Sequence, residues 1–364
     1  MSRPAHPASR LGPRIAVVVV VGLLGIALVV ATLTGRPPRA PEPGPAPPPK
    51  ALPTAGQRGV YPRFAPDNVF GVDVAGQPVD PKSRAMIANL LAQITPHYGG
   101  IAALNTQEYN PVLHVVDATT PRVTVRFEDC QDKGYTPEGL FDGPKYFVDV
   151  PVPADAQVAK GTDSTITLWS PSTDQLWEFW VMKAQGQGGW SACWGGRIDH
   201  VSANRGYFPK PYGVSASGLV TVGSMITLEE ARARRIDHAM GLALIAPARW
   251  DRWRFPAQRS DGTDPAPDAI PQGARLRLDP SVDVSALGLT PLGEAIARAA
   301  QKYGFIVVDT AAAVAVMAES GLPDKTRTGR DPWSAILGDV PTYEQLRGFP
   351  WARMQVLSAP DKSP

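Results

Sequence analysis

Cysteine and histidine are scarce in this chain, with two and five copies among 364 residues. Cys130 and Cys193 stand far apart, and no histidine pair has a short ligand spacing such as HExxH, which argues against a metal centre. A CxxC redox pair is missing as well. So is an excess of one charge: 36 Lys and Arg face 34 Asp and Glu, for a net +2, and no basic stripe points to nucleic acid. The glycines do not fall between a strand and a helix in the order a phosphate cradle requires, so no cofactor is expected. A GxSxG nucleophile elbow is lacking too; the nearest phrase, GVSASGL from Gly213 to Leu219, has another spacing.

Apolar and proline-rich segments are present instead, and they come first. The run IAVVVVVGLLGIALVVATLT, Ile15 to Thr34, carries no charge and as a helix would cross a hydrocarbon layer about 30 Å thick. Its length and the absence of a small-residue cleavage site favour an uncleaved anchor over a removed signal peptide. Residues 1–14 are then a short cytoplasmic end, 15–34 the transmembrane anchor and 35–55 a linker in which Arg36 to Pro53 is half proline. Extended at about 3.1 Å per residue, that linker would span roughly 50 Å. Residues 56–364 are expected to form a single extracytoplasmic globular domain at the plasma membrane. The cysteine pair suits that location, either as a disulfide closing a long loop or as two buried thiols.

Within this region, hydrophobic periodicity is chiefly that of strands. RVTVRF (Arg122 to Phe127), YFVDVPV from Tyr146 and TITLW from Thr165 alternate polar and apolar residues. The turn residues SPSTD before QLWEFWVM predict a hairpin from Thr165 to Met182. RIDHAMGLALIA reads as a strand more readily than as a helix, and ARLRLD, GFIVVD and AAAVAVMAE read as further strands. Helical spacing marks SRAMIANLLAQI at Ser83 to Ile94, LEEARAR behind a Thr227 and Glu230 capping box, and the segment from Pro291 to Gly304. The expected fold is mainly β with minor α (α+β): an antiparallel two-sheet sandwich, jelly-roll-like, with a few peripheral helices. A doubly wound α/β fold is the alternative.

Chemistry concentrates in few places. On a strand, Glu178 of LWEFW shares a face with Trp180, placing a carboxylate beside an indole, as in many sugar sites. An apolar neighbour would raise its pKa toward acid catalysis; a solvated sheet face or an ion pair with Arg197 is the competing reading. The phrase RIDH occurs twice, at Arg197 to His200 and Arg235 to His238, offering Asp199, Asp237 and His238 as catalytic partners. Adjacent strand residues point oppositely, so neither dipeptide is a ready-made acid–base pair. Trp180 and Trp194 are candidate stacking surfaces. Gln258 and Arg259, with Asp261, crowd a loop suited to a polar ligand, or simply to an Asp-Gly turn.

The phrases TDSTITLWSPSTDQLWEFW, GWSACWGGRIDHVS, RRIDHAMGLAL, WRFPAQRSDGTDPAPDAIPQGARLRLDP, AAQKYGFIVVD and FPWARMQVL together resemble an uncharacterised family of exported or membrane-anchored actinobacterial proteins. The resemblance runs from about Tyr61 to Leu357 and implies one integrated exported module. It brings no assigned reaction and no catalytic residues, and it implies a glycine where this chain has Arg234. The resulting expectation is an envelope-exposed protein that binds or cleaves a polysaccharide, with a cell-wall glycan as candidate ligand and Glu178 paired to Asp237 or Asp199. The alternative is a non-catalytic, membrane-anchored envelope interaction or structural protein.

Overall fold

A computed structural model describes residues 61–134, 147–209 and 212–358. The apolar run at 15–34, its short N-terminal flank and the proline-rich linker lie outside the described residues. Among the described residues no helix is long and apolar enough to cross a membrane.

Fifteen strands and six helices are described. In chain order they are α1 (Ser83–Ile94), β1 (Ala103–Asn105), β2 (Leu113–Val115), β3 (Arg122–Val123), β4 (Val125–Phe127), β5 (Val150–Pro151), β6 (Ile166–Ser170) and β7 (Gln175–Trp180). Then come β8 (Lys183–Ala184), β9 (Trp190–Ala192), β10 (Trp194–Asp199), α2 (Thr221–Ser224), α3 (Leu228–Ala233), β11 (Met240–Leu244) and β12 (Arg275–Leu278). The chain ends with α4 (Pro291–Lys302), β13 (Phe305–Thr310), β14 (Ala315–Met317), α5 (Leu322–Thr328), α6 (Pro332–Leu337) and β15 (Met354–Val356).

The strands form four sheets. The largest has six strands in the order β1-β14-β11-β13-β12-β15, and the second four in the order β10-β7-β6-β2. Two small sheets, β3-β5 and β4-β9-β8, complete the set. The fold is therefore α+β, with strands in several sheets and few helices. The pairing departs from the expected all-antiparallel jelly roll: β1 with β14, β11 with β13, β2 with β6 and β4 with β9 run parallel. The expected strand Arg122 to Phe127 divides between two sheets, because Val123 pairs with Val150 and Val125 with Trp190.

The predicted hairpin is present, with Ile166 opposite Phe179 and Ser170 opposite Gln175. Alternation along β7 sends Leu176 into one buried cluster with Ile198 and Val220, and Trp177 and Phe179 into another with Ile166 and Leu168. The six-stranded sheet is covered on both faces. On one, Leu242, Leu276 and Val307 pack with Leu90 of α1 and Ile296 of α4; on the other, Ile306 and Val308 pack with Leu219. Double coverage explains the unbroken apolar run of RIDHAMGLALIA, whose strand begins at Met240.

The segment from Leu219 to Met225 lies between the two large sheets. Leu219 buries against Ile306 of the six-stranded sheet, while Val220, Val222 and Met225 bury against Leu176 and Ile198 of the four-stranded one. This seating requires glycine at position 196. A Cβ there would meet the Phe208 ring at 2.7 Å and the Gly213 nitrogen at 2.8 Å. The capping box closes as read from sequence: the Glu230 amide donates to Thr227 Oγ1 and the Thr227 amide to Glu230 Oε2. At the other end of α3, Arg234 takes φ +56°, the left-handed conformation that favours the glycine implied by the family resemblance.

Cys130 and Cys193 are joined, with Cα atoms 5.6 Å apart and a sequence separation of 63. The bond ties the end of β4 to the β9–β10 connection. Closing so long a loop restricts the unfolded chain, an effect of about 4 kcal/mol in the chain-entropy account. Replacing both cysteines by alanine is expected to lower unfolding free energy by about 2–4 kcal/mol. Urea unfolding of oxidised, reduced and double-Ala protein checks this, and equal midpoints for all three would refute it.

Candidate functional site

The parallel pair β11–β13 holds the decisive irregularity. Leu242 pairs with Val307, but the next residue, Ala243, pairs with Asp309, leaving Val308 as an extra residue. A bulge of this kind releases a carbonyl from the ladder and re-aims the following side chain. The Val308 carbonyl accepts from Ser217 N at 3.2 Å and from Ser215 Oγ at 3.1 Å. Asp309 then turns toward the same loop, where its carboxyl accepts from Thr310 N at 2.9 Å and Ala216 N at 3.4 Å.

Arg259 fixes that loop. Its guanidinium donates to the carbonyls of Tyr212 (2.9 Å), Gly213 (2.8 Å), Ser215 (2.9 Å) and Ala216 (3.2 Å). Burial lowers its pKa, and the nearby charges of Asp309, Asp261 and Glu178 oppose that shift. One cation thus sits among three carboxyl groups. The second aspartate, Asp261, is exposed and accepts from Thr310 Oγ1 and Gln272 Nε2, both at 2.7 Å. Burial, followed by the charge of Asp261, lifts the half-buried Asp309 to about 7.

Two aromatic side chains belong to the same electrostatic neighbourhood. Trp180 donates its indole N–H to Asp163 at 3.1 Å, and the Asp163 charge acts on Asp309. Lys133 lies 4.4 Å over the Trp194 ring, and its ammonium is close enough to Arg259 for mutual repulsion. Trp180 and Trp194 face each other across β7 and β10 and are both partly exposed. Electrostatic coupling thus links Asp163, the partner of Trp180, to Asp309, and Lys133, the partner of Trp194, to Arg259. Gln258 joins the scaffold, its amide N–H donating to the Ser217 carbonyl at 2.7 Å.

The remaining sequence candidates are placed otherwise. Glu178 has no solvent exposure. Its Oε1 accepts from Thr221 N at 2.8 Å and Thr221 Oγ1 at 2.6 Å, while Oε2 has no hydrogen-bond partner. Burial raises its pKa to about 7 against the lowering effect of those bonds. The expected pKa shift is present, but no sugar ring reaches a carboxyl enclosed between a sheet and α2; Glu178 positions Thr221 at the start of that helix.

Neither proposed partner of Glu178 meets it. Asp199 pairs across the sheet with Gln175, at odd spacing from Gly196 opposite Glu178, so it points to the other face. There it is held by Arg197 at 2.7 Å and Gln175 at 2.6 Å. Asp237 is exposed and paired to Arg235 at 2.7 Å. His238 contacts the capping carboxylate Glu230 at 3.1 Å and the Ala239 carbonyl at 2.9 Å. Burial disfavours its charge, yet Glu230 outweighs that and raises its pKa; Glu230 is correspondingly lowered despite burial. The repeated RIDH phrase thus serves two separate surface ion pairs, each linking its own Arg to its own Asp.

Asp309 was not among the sequence candidates. The available cue was its place near the C-terminal end of an apolar strand in a parallel pair, where ligand-facing residues commonly stand. Comparison with protein-family models, with curated proteins and with solved structures finds no match.

Three carboxyls share one pH response. Burial raises Glu178 and Glu319 from 4.5 to about 7 and Asp309 from 3.8 to about 7. Between these values the folded protein holds protons that the unfolded chain has released, so stability falls as pH rises. The contribution is complete below the unfolded values and is lost as pH passes through about 7. The melting temperature should fall between about pH 4 and pH 7, and Glu178→Gln should flatten part of that slope. A flat profile in the parent protein would contradict it. Separately, Arg259→Lys leaves a compact ammonium unable to span four carbonyls and should cost about 3 kcal/mol in chemical denaturation.

Proposed function

We propose that the surface around Asp309 and Asp261 binds a polysaccharide and hydrolyses its glycosidic bonds. The observation that carries this reading is the pair itself: a half-buried Asp309 lifted to about 7 beside an exposed, hydrogen-bonded Asp261. A carboxyl group that keeps its proton near neutrality can donate it to a leaving glycosidic oxygen as the carbon–oxygen bond breaks. The second carboxylate faces the cation that forms at the anomeric carbon, or takes the proton of the incoming water. Partly exposed Trp180 offers an aromatic surface for stacking, the usual apolar complement of a sugar, beside Trp194, whose ring carries Lys133. Arg259 keeps the loop and both carboxyls in register while its donors are taken up by backbone carbonyls.

The same proposal includes an envelope location, with the two large sheets as the faces of a sandwich-like body presented outside the membrane. A Cys130–Cys193 disulfide fits an oxidising compartment, and the apolar run at 15–34 supplies an anchor at the sequence level. The family resemblance to exported and membrane-anchored proteins points the same way. Exposed rings favour a second, non-catalytic reading as an envelope interaction protein: Trp250 is 64% exposed, and Tyr98 stacks on Tyr343 with centroids 5.9 Å apart at the surface.

A glycan array followed by reducing-sugar release from the bound polymers separates these readings. Hydrolysis should fall at least about 100-fold in Asp309→Asn and in Asp261→Asn while binding persists. Turnover should decline as pH rises through about 7, where Asp309 loses its proton. Glycan binding by the parent protein without any release of reducing ends would leave the interaction reading and remove the hydrolytic one.

A further inference from the structure

The four-stranded sheet ends on β2, and among the described residues no strand covers its outer edge. The ladder to β6 shows which backbone groups remain. Thr167 N donates to the Val112 carbonyl and Val116 N to the Trp169 carbonyl, so in a parallel pair residues 112, 114 and 116 turn their amides and carbonyls toward β6. Leu113 and Val115 therefore direct theirs outward. Neither residue makes a further backbone or side-chain hydrogen bond through those groups to another described residue. Such an edge is a template for another extended chain.

This edge is not a flat rim. Leu113 and Val115 line a cavity of about 690 Å³ closed on its far side by α3 and α5, with Tyr61 and Glu319 on its wall. That volume lies in the range of ligand pockets, roughly 300–1,000 Å³. Tyr61 donates its hydroxyl to Glu319 at 2.8 Å, and the Leu228 amide donates to the same carboxylate oxygen at 2.8 Å.

Charge decides what kind of chain fits. On the wall Arg327 is already paired with Asp324 at 2.5 Å. Burial lowers the pKa of His114, so near neutral pH that side chain adds no positive charge. Asp155 and Glu229 are exposed and lack an ion-pair partner among the described residues, against the single remaining cation Arg232. The surplus is anionic.

We propose that this cavity is a peptide-binding site, in which an extended segment bearing a basic side chain adds as a fifth strand along β2. Main-chain hydrogen bonds to Leu113 and Val115 give the affinity, and Asp155 with Glu229 selects the basic side chain. The site does not include Asp309 or Asp261 and holds whether or not those residues hydrolyse a glycan.

The test uses the full-length protein and the synthetic peptide Ac-Val-Thr-Lys-Thr-Val-NH2, followed by calorimetry. Saturable binding is expected below about 1 mM. A strand exposes alternate amides to each side, so N-methylation of one alternating set should weaken binding at least about ten-fold while methylation of the other set changes it little. Exchanging Lys for Glu in the peptide should weaken binding, and the surface double variant Asp155→Asn/Glu229→Gln should erase that preference. Absence of saturation at about 1 mM, equal response to both methylation patterns, or a Glu peptide that binds the parent protein as well as the Lys peptide would each overturn the proposal.

Discussion

A single guanidinium organises the centre of this protein. Arg259 reaches four carbonyls in the stretch from Tyr212 to Ala216, and no other side-chain type presents enough donors in one plane to do so. Backbone carbonyls that converge on one point repel each other unless a cation stands between them. The cation in turn is desolvated, and the charge of Asp261, joined by those of Asp309 and Glu178 once they ionise, offsets that cost. The loop, the arginine and the acidic groups are therefore mutually dependent. The same device recurs on β12, where Arg277 donates to the carbonyls of Val74, Ala75 and Gln77, and half-buried Arg275 to those of Tyr303 and Val69. Irregular chain is held onto sheets by arginine rather than by further strand pairing.

The bulge at Val308 is the complementary feature. Regular pairing of β13 with β11 would have spent the Val308 carbonyl on the ladder and turned Asp309 away from the Ser215 to Ser217 loop. One extra residue does both jobs at once: the carbonyl receives Ser215 and Ser217, and Asp309 faces Ala216. Loop clamp and bulge meet at Ala216, whose carbonyl binds Arg259 and whose amide binds Asp309. A residue between a cation and an acid transmits displacement of either one to the other.

Much of the secondary structure was legible because local pattern and burial agree. The β6–β7 hairpin, the α3 capping box and α4 behind Pro291 follow from turn chemistry, capping and a one-sided apolar stripe. Sheet membership was not legible, because it depends on pairing partners far away in sequence. RVTVRF alternates cleanly, yet its halves join different sheets. In RLRL the arginines alternate with leucines, yet Arg277 is buried and spends its donors on distant carbonyls. Of the site, the Gln258 to Asp261 loop and the tryptophans were legible as polar and aromatic concentrations. Asp309 was not, since a bulge leaves no mark in an apolar run, and the pairing of Glu178 with Asp199 failed on strand parity.

Glu178 and Asp309 show why a raised pKa does not by itself assign chemistry. Both are lifted to about 7, and in both burial is the first cause. Glu178, however, is enclosed, its one bonded oxygen taken by Thr221 at the head of α2. Its neutral form at moderate pH lets a polar group sit between two packed layers without a counter-ion, a structural use of the shifted equilibrium. Asp309 keeps partial exposure and faces the charge of Asp261. A proton donor must touch its acceptor, which partial exposure permits for Asp309 and enclosure forbids for Glu178.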